Sequence, residues 1–112
     1  MIVVIAGSRD ITDYELVERA IKESGLQITM VLCGQARGVD TLGEQWAKAN
    51  NIPVRYYPAN WKTYGKQAGV LRNRYMAEDC DAVIVVHNGS PGSKNMLDEA
   101  RRKKRIIFEK RV

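Results

Sequence analysis

The feature that most constrains the fold is a short, entirely apolar run that ends abruptly in a turn. Residues 82–86 are followed by His87 and the Gly/Ser/Pro-rich segment 88–93, after which a helical pattern begins. A strand that is apolar on both faces is typical of a parallel sheet covered by helices on two sides. Residues 2–10 and 30–40 repeat this order of apolar run, glycine and helix. These junctions predict one crevice at the carboxyl ends of the strands.

The rest of the chain continues the alternation of strand and helix. We predict strands at 2–6, 28–33, 54–57, 82–86 and 106–108, and helices from Thr12 to Gly25, Asp40 to about Asn50, residue 66 or 68 to Asp79, and Ser93 to about Lys104. Thr12 (with Glu15), Asp40 and Ser93 are the predicted N-caps. The alternating strand 54–57 is expected near an edge of the sheet. The pattern predicts one α/β domain over 1–112, with three layers and a five-stranded, mostly parallel sheet between helices.

The basic excess of the chain is local. There are 18 Lys and Arg against 13 Asp and Glu, a net charge of +5, and the run 101–105 supplies five of the basic residues. Such a run is typical of the solvated last turn of a helix, where cations complement the helix dipole. The alternative is a patch that binds nucleic acid. We favour the first interpretation.

Several classes of protein are disfavoured by what the sequence lacks. No apolar run is long enough for a membrane span, and because the first predicted strand begins at the start of the sequence we expect no signal peptide. Cys33 and Cys80 lack the spacing of a metal site, and Cys33 lies in an apolar run where a buried thiol is expected. With His87 as the only histidine, we expect no protein-built zinc site. There is no Walker motif and no Ser/His/Asp arrangement. We expect a cytoplasmic protein.

Five pieces of the sequence carry a resemblance to a known family. They are Ala6-Gly7-Ser8-Arg9-Asp10, Gly34-Gln35-Ala36-Arg37-Gly38-Val39-Asp40, Trp61 with Tyr64-Gly65-Lys66, Ala68-Gly69 with Arg72-Asn73 and Met76, and Gly89-Ser90-Pro91-Gly92-Ser93. In these pieces the chain resembles the YspA-like, cpYpsA-related branch of the SLOG superfamily. These are Rossmann-like domains related to the lonely guy phosphoribohydrolases and to the DNA-processing protein DprA. The resemblance implies that a nucleotide or nucleotide-derived ligand binds at the strand ends, often within a homodimer.

The resemblance also identifies one departure. Hydrolytic members of the superfamily carry a P-G-G-x-G-T-x-x-E signature, in which the glycines and threonine hold phosphate and the Glu assists cleavage of an N-glycosidic bond. Here the glycine pair falls on Gly89-Ser90, the Gly-Thr pair on Gly92-Ser93, and the Glu on Met96. A Gly/Ser loop at a helix start can still bind phosphate, but a thioether cannot relay a proton. Glu99 lies one helical turn beyond Met96, so its carboxylate would not occupy the same position as the Glu of the signature. The departure at Met96 weakens the prediction of hydrolysis, which stays an alternative, and no catalytic residue is identified.

The predicted site combines the glycine junctions with the residues that the resemblance adds. The ligand- or phosphate-binding candidates are Gly7, Ser8, Arg9, Gly34, Ala36, Arg37, Gly38, Asp40, Arg72, Asn73, Asn88, Gly89, Ser90, Gly92 and Ser93. Arg9 can bind a phosphate bidentately or pair with Asp10 in a solvated loop. For Asp40, helix capping is favoured over a contact with a ribose hydroxyl. Only the resemblance makes Arg72 and Asn73 candidates.

The aromatic loop 58–69 is longer than the connection from a strand to a helix requires. Trp61 and Tyr64 in this loop can stack on a base or close a lid over it, or they can cover the edge of the core or a dimer interface. Asp10, Asp40 and Glu99 could hold Mg²⁺ together with the phosphates of a nucleotide, although their spacing does not require it.

Three functions follow from these observations. The leading prediction is binding of a nucleotide or nucleotide derivative. The second is hydrolysis of the N-glycosidic bond of nucleoside monophosphates. The third is binding of single-stranded nucleic acid through the run 101–105 and the aromatic loop, which predicts a steep dependence of affinity on salt.

Overall fold

Strands and helices alternate along the whole chain in the computed structural model, which describes residues Met1–Val112. The strands are β1 (Ile2–Gly7), β2 (Met30–Cys33), β3 (Val54–Tyr56), β4 (Ala82–His87) and β5 (Ile106–Arg111), and the helices are α1 (Tyr14–Ser24), α2 (Val39–Ala49), α3 (Trp61–Tyr64), α4 (Ala68–Asp79) and α5 (Pro91–Arg102). A single 3-10 turn at Gly65–Gln67 joins α3 to α4.

The five strands form one sheet in the order β3-β2-β1-β4-β5, and every neighbouring pair is parallel. The predicted α/β fold with a parallel sheet is confirmed, as is the edge position of the strand that begins at Val54. Strand order reverses between β1 and β4. In sheets of this kind, ligands bind outside the carboxyl ends of the strands at the reversal. The topology therefore predicts a ligand site between the loops that follow β1 and β4.

The core has one layer on each face of the sheet. Because side chains alternate along a strand, β4 directs Ile84 and Val86 to one face and Val83 and Val85 to the other. The first face packs against α1 and α2, and the second against α4 and α5. All six residues of β4 are buried. This burial on both faces explains why β4 appears in the sequence as a continuous apolar run.

The predicted N-caps are wrong by one to three residues. The cap of α1 is Asp13, not Thr12, and its carboxylate accepts from the Leu16 N–H at 3.3 Å. Gly38 occupies the cap position of α2, so Asp40 lies inside the first turn. Ser90 and not Ser93 occupies the N-cap position of α5, because Pro91 begins the helix earlier, although the Ser90 side chain makes no capping bond. Proline suits a first helical turn, since its fixed φ is helical and its missing N–H is not needed there.

Other element boundaries also differ from the prediction. Strand β2 begins at Met30, two residues late, while β5 continues three residues beyond Phe108. Helix α5 ends at Arg102, and Lys104 has a positive φ of 58°. The aromatic loop contains the unpredicted one-turn helix α3, capped by the Asn60 side chain. None of the helices combines the length and apolar composition that a membrane span needs.

Candidate functional site

A cavity of about 460 Å³ lies at the carboxyl ends of β1 and β4, where the strand order reverses. The loops after β1, β2 and β4 form its walls together with the starts of α2 and α5 and one face of α4. It is lined by Ala6, Gly7, Arg9, Asp10, Ala36, Asp40, Arg72, Asn73, Asn88, Ser90, Pro91, Gly92, Ser93 and Met96. Only three of these 14 residues are hydrophobic. The cavity therefore suits a polar ligand.

The first turn of α5 forms one wall of this cavity. The N–H groups of Gly92 and Ser93 have no backbone acceptor, and Ser90 makes no side-chain capping bond to them. A Cβ added to Gly92 would meet no atom within 4 Å, so the backbone is open to a ligand on that side. Free N–H groups at a helix N-terminus, together with the positive end of the helix dipole, favour anions such as phosphate.

A chain of hydrogen bonds fixes the loops behind this wall. The Ser8 hydroxyl donates to the Asn88 side-chain oxygen at 2.8 Å, so in its 2.9 Å contact with Ser90 it must accept. Ser90 has then used its proton, and Ser93 must be the donor in their 2.7 Å contact. The chain ends where the Asn88 amide donates to both carboxylate oxygens of Asp10, at 2.9 and 3.0 Å. The chain leaves the Ser93 oxygen free to accept a hydrogen bond.

Asp40 and Arg72 form the charged floor between the loops. A Cβ placed on Gly34 would lie 2.8 Å from Arg72 Nη1 and 2.9 Å from Asp40 Oδ2, so the two side chains flank that glycine. The Asp40 carboxylate accepts from the Ala36 N–H at 3.2 Å, and Arg72 donates to the Gly34 carbonyl. Burial raises the pKa of Asp40, while the Ala36 N–H and Arg72 act in the opposite direction. Burial also lowers the pKa of Arg72.

The loop after β2 is held against the loop after β1 by a close backbone approach. Gly38 has a φ of 75°, and a Cβ there would lie 2.3 Å from the Ser8 carbonyl oxygen. The same oxygen accepts from the Val39 N–H at 3.3 Å. Only glycine fits this position, since another side chain would push the two loops apart. This contact aligns the first turn of α2, and with it Asp40, with the cavity.

A second cavity of about 350 Å³ adjoins the first. Its lining residues are Arg9, Gly34, Gln35, Ala36, Arg37, Pro58, Ala59, Trp61 and Arg72. Three of them, Arg9, Ala36 and Arg72, also line the first cavity, so the two cavities share a wall. Trp61 is 51% exposed, and its ring lies near Gly69, where a Cβ would be 3.4 Å away.

The structure brings most of the sequence-predicted candidates to these two cavities. Ten of the 15 ligand-binding candidates line the first cavity, and Gly34, Arg37 and Trp61 line the second. Ser8, Gly38 and Gly89 lie behind the walls, and Tyr64 lines neither cavity. The residues that were missed include Ala6, Gln35, Pro58, Ala59 and Pro91. Pro91 carried a signal, because a proline after a glycine turn marks a helix start.

The cavity holds no carboxylate from α5. Met96, which the signature of the hydrolytic members predicts to replace their Glu, is buried and lines the cavity. Glu99 is 2% exposed, does not line the cavity, and lies 3.7 Å from Arg74 and 3.4 Å from Arg102. Asp10 and Asp40 are the only acidic residues in the lining.

The basic run 101–105 is at the other end of α5 and is partly paired. Arg101 contacts Asp98 at 3.4 Å, and Lys103 contacts Glu78 at 3.3 Å. Arg105 donates to the carbonyls of Ala77 and Glu78, at 2.9 and 2.8 Å. The run thus includes the last residues of α5, as predicted, and several of its side chains stay exposed to solvent.

The fold and the site define the class of protein to which this chain belongs. The family model of the YspA, cpYpsA-related SLOG family matches residues 1–64, and the chain is a member of that family. It is 32% identical to the Gene 61 protein of Mycobacterium phage D29, in an alignment that covers 89% of this chain and 88% of that protein.

A solved structure confirms the fold independently. The X-ray structure of DNA processing protein A (DprA) from Streptococcus pneumoniae matches 96% of this chain with a TM-score of 0.77 and 20% sequence identity. The match covers 49% of that protein, so this chain spans about half of its length. At this level of identity the match shows the Rossmann-like fold that the resemblance predicted, and nothing of the ligand.

Proposed function

We propose that this protein binds a nucleotide or nucleotide-derived ligand in the cavity of about 460 Å³. The observation that carries the proposal is the convergence, in one polar cavity, of the free N–H groups of Gly92 and Ser93 with the guanidinium groups of Arg9 and Arg72. A phosphate group would accept hydrogen bonds from the helix start and be paired with the arginines. The volume falls within the range of about 300–1,000 Å³ that is usual for small-molecule sites.

The other candidates would then orient the ligand. The Ser93 hydroxyl oxygen, free to accept, and the Asp40 carboxylate suit the hydroxyl groups of a ribose. Trp61 offers an aromatic surface on which a base can stack. A Mg²⁺ ion that arrived with the phosphates would use Asp10, an exposed carboxylate in the lining, as its protein ligand.

The proposal is tested by filling the cavity without disturbing the fold. In Gly92→Tyr the new side chain enters open space, so the protein should fold while the ring blocks the phosphate position. Asp98→Tyr is the matched control, because Asp98 is exposed on the same helix outside both cavities. We expect at least one class of nucleotide to raise the melting temperature of the wild type and of Asp98→Tyr, but not that of Gly92→Tyr.

Two results would contradict the proposal. One is that no member of a panel of nucleoside mono-, di- and triphosphates stabilises the wild type. The other is that Gly92→Tyr, shown by circular dichroism to be folded, binds nucleotide as tightly as the wild type does.

A second candidate function is hydrolysis of the N-glycosidic bond of a nucleoside monophosphate. The observation that favours it is Asp40, a buried carboxyl group in the cavity lining with a raised pKa, which is the property of a general acid. Release of free base from a nucleoside monophosphate, lost in Asp40→Asn, would support this function. If wild-type protein that binds the nucleotide releases no base, the cavity binds its ligand without turnover.

Location and assembly are proposed together with the function. Two free buried thiols fit a reducing compartment, so we propose a cytoplasmic location. The homodimer that the family resemblance implies is also a proposal, and light scattering coupled to size-exclusion chromatography tests it directly.

A further inference from the structure

The second cavity presents an unbalanced set of charges. Arg9, Arg37 and Arg72 line it, and no acidic residue does. None of these arginines has a carboxylate oxygen within 4.0 Å, and the Arg9 and Arg37 side chains donate no hydrogen bond within the protein. The Asp40 carboxylate, which lies outside this lining, can offset only one of the three positive charges, and the remaining like charges repel one another. An anionic group would relieve this repulsion and take bidentate hydrogen bonds from the guanidinium groups.

The shared wall determines where such an anion would lie relative to the first phosphate. Arg9 and Arg72 face both cavities, whereas Gly92 and Ser93 face only the first and Arg37 only the second. The guanidinium groups of Arg9 and Arg72 therefore lie between a phosphate at the start of α5 and the second cavity, which contains Arg37. They can contact an anion in either cavity. Two phosphate groups joined directly to each other fit this arrangement, with one on each side of the shared wall.

We propose that the ligand is a nucleotide with a pyrophosphate group, such as a nucleoside diphosphate or a diester of one, and that Arg37 binds its second phosphate. This inference rests on the proposed nucleotide site and specifies its ligand class. The cavity volumes of about 460 and 350 Å³ suit a small molecule. The basic run 101–105 is only partly paired, but it lies at the far end of α5, about 18 Å from the helix start, and cannot contact a ligand in either cavity.

The experiment compares matched nucleotides by isothermal titration calorimetry at fixed ionic strength. The probes are the mono- and diphosphates of adenosine, guanosine, cytidine and uridine. For the base that binds, the diphosphate should bind at least about tenfold more tightly than the monophosphate, as expected for one or two additional charge-assisted hydrogen bonds. Arg37→Gln should weaken diphosphate binding far more than monophosphate binding and so remove most of this difference.

Arg19→Gln provides the matched control. Arg19 is exposed on α1, lines neither cavity, and its substitution changes the net charge by the same amount. It should preserve the difference between mono- and diphosphate. Trp61 supplies a second readout, because occupation of the second cavity should change its fluorescence. Trp61→Phe should abolish this change, with Trp46 as the remaining fluorophore.

The possible failures can be distinguished. Equal affinity for mono- and diphosphate, or an equal loss of both in Arg37→Gln, would overturn the pyrophosphate inference while the nucleotide site stands. If no nucleotide bound at all, the proposed function itself would fail. If a single-stranded oligothymidylate bound more tightly than every diphosphate and lost affinity in Arg37→Gln, the site would be a nucleic-acid site and the inference would be wrong.

Discussion

Replacement of His87 by leucine tests how the loop that carries Asn88, Gly89 and Ser90 is fixed. His87 is 1% exposed at the end of β4. Its Nδ1 accepts from the Gly89 N–H at 3.0 Å, so Nδ1 carries no proton. Nε2 must then carry the proton and donate to Glu109 at 2.6 Å. Leucine removes both the acceptor and the donor.

The cost can be worked out from these two contacts. An unpaired, partly buried N–H costs about 1–3 kcal/mol, and the lower half of this range applies because the Gly89 amide is not fully enclosed. Glu109 is 37% exposed and can be solvated again, so its lost contact adds about 0.5 kcal/mol. We expect His87→Leu to lower the free energy of unfolding by about 2 kcal/mol. For a domain of this size, that corresponds to a melting temperature lower by about 8 °C.

The assay combines thermal unfolding with hydrogen exchange at the Gly89 amide. His87→Asn is the control, since the side-chain oxygen of asparagine can replace Nδ1 as the acceptor. The Gly89 amide should stay protected in the wild type and in His87→Asn but exchange rapidly in His87→Leu. If His87→Leu kept both its melting temperature and the protection of Gly89, the role of His87 as the acceptor that fixes this loop would be refuted.

Two further predictions concern residues outside the cavities. Burial raises the pKa of Cys33 and of Cys80 to about 11. Iodoacetamide at pH 8 should therefore label the folded chain far more slowly than the urea-unfolded chain. Equal labelling rates would contradict the burial of the two thiols. Because the thiols of the unfolded chain ionise near pH 8.5, the free energy of unfolding should decrease between about pH 8.5 and 11. In the double Cys→Ala variant the contribution of the thiols to this decrease should be absent. Arg105→Ala should lower the free energy of unfolding by about 1–2 kcal/mol, because Arg105 donates to two carbonyls at the end of α4. Lys104 is exposed, so Lys104→Ala should lower it by less than about 0.5 kcal/mol. Equal urea midpoints for these two variants would show that the contacts of Arg105 contribute nothing.

The sheet and the position of the site could be predicted because they depend on local sequence signals. An apolar run followed by a glycine turn defines both a buried strand and the loop at its carboxyl end, and parallel pairing brings such loops together. Helix starts were less predictable, because Thr12, Asp13 and Asp40 are all good capping residues and only the backbone decides between them. The predicted cap Asp40 is instead a cavity residue, bonded to the Ala36 N–H.

Contacts between distant parts of the chain could not be predicted. The second cavity requires α3 to bring Trp61 near Arg37 and Arg72, and no local pattern fixes that arrangement. The pairing of His87 with Glu109 likewise depends on the register between β4 and β5. The family resemblance did identify Arg72 and Asn73 as candidates, although their helix gave no such signal, and both line the cavity.

The most direct test of the central claim is a two-dimensional ¹H–¹⁵N NMR titration of the protein with the nucleotide that stabilises it most. The claim is that phosphate binds at the start of α5. It predicts that the amide signals of Gly92 and Ser93 shift most, together with the Arg9 side-chain Nε–H. Shifts confined to residues 101–105, or no shift at Gly92 and Ser93 at a saturating concentration of nucleotide, would contradict the claim.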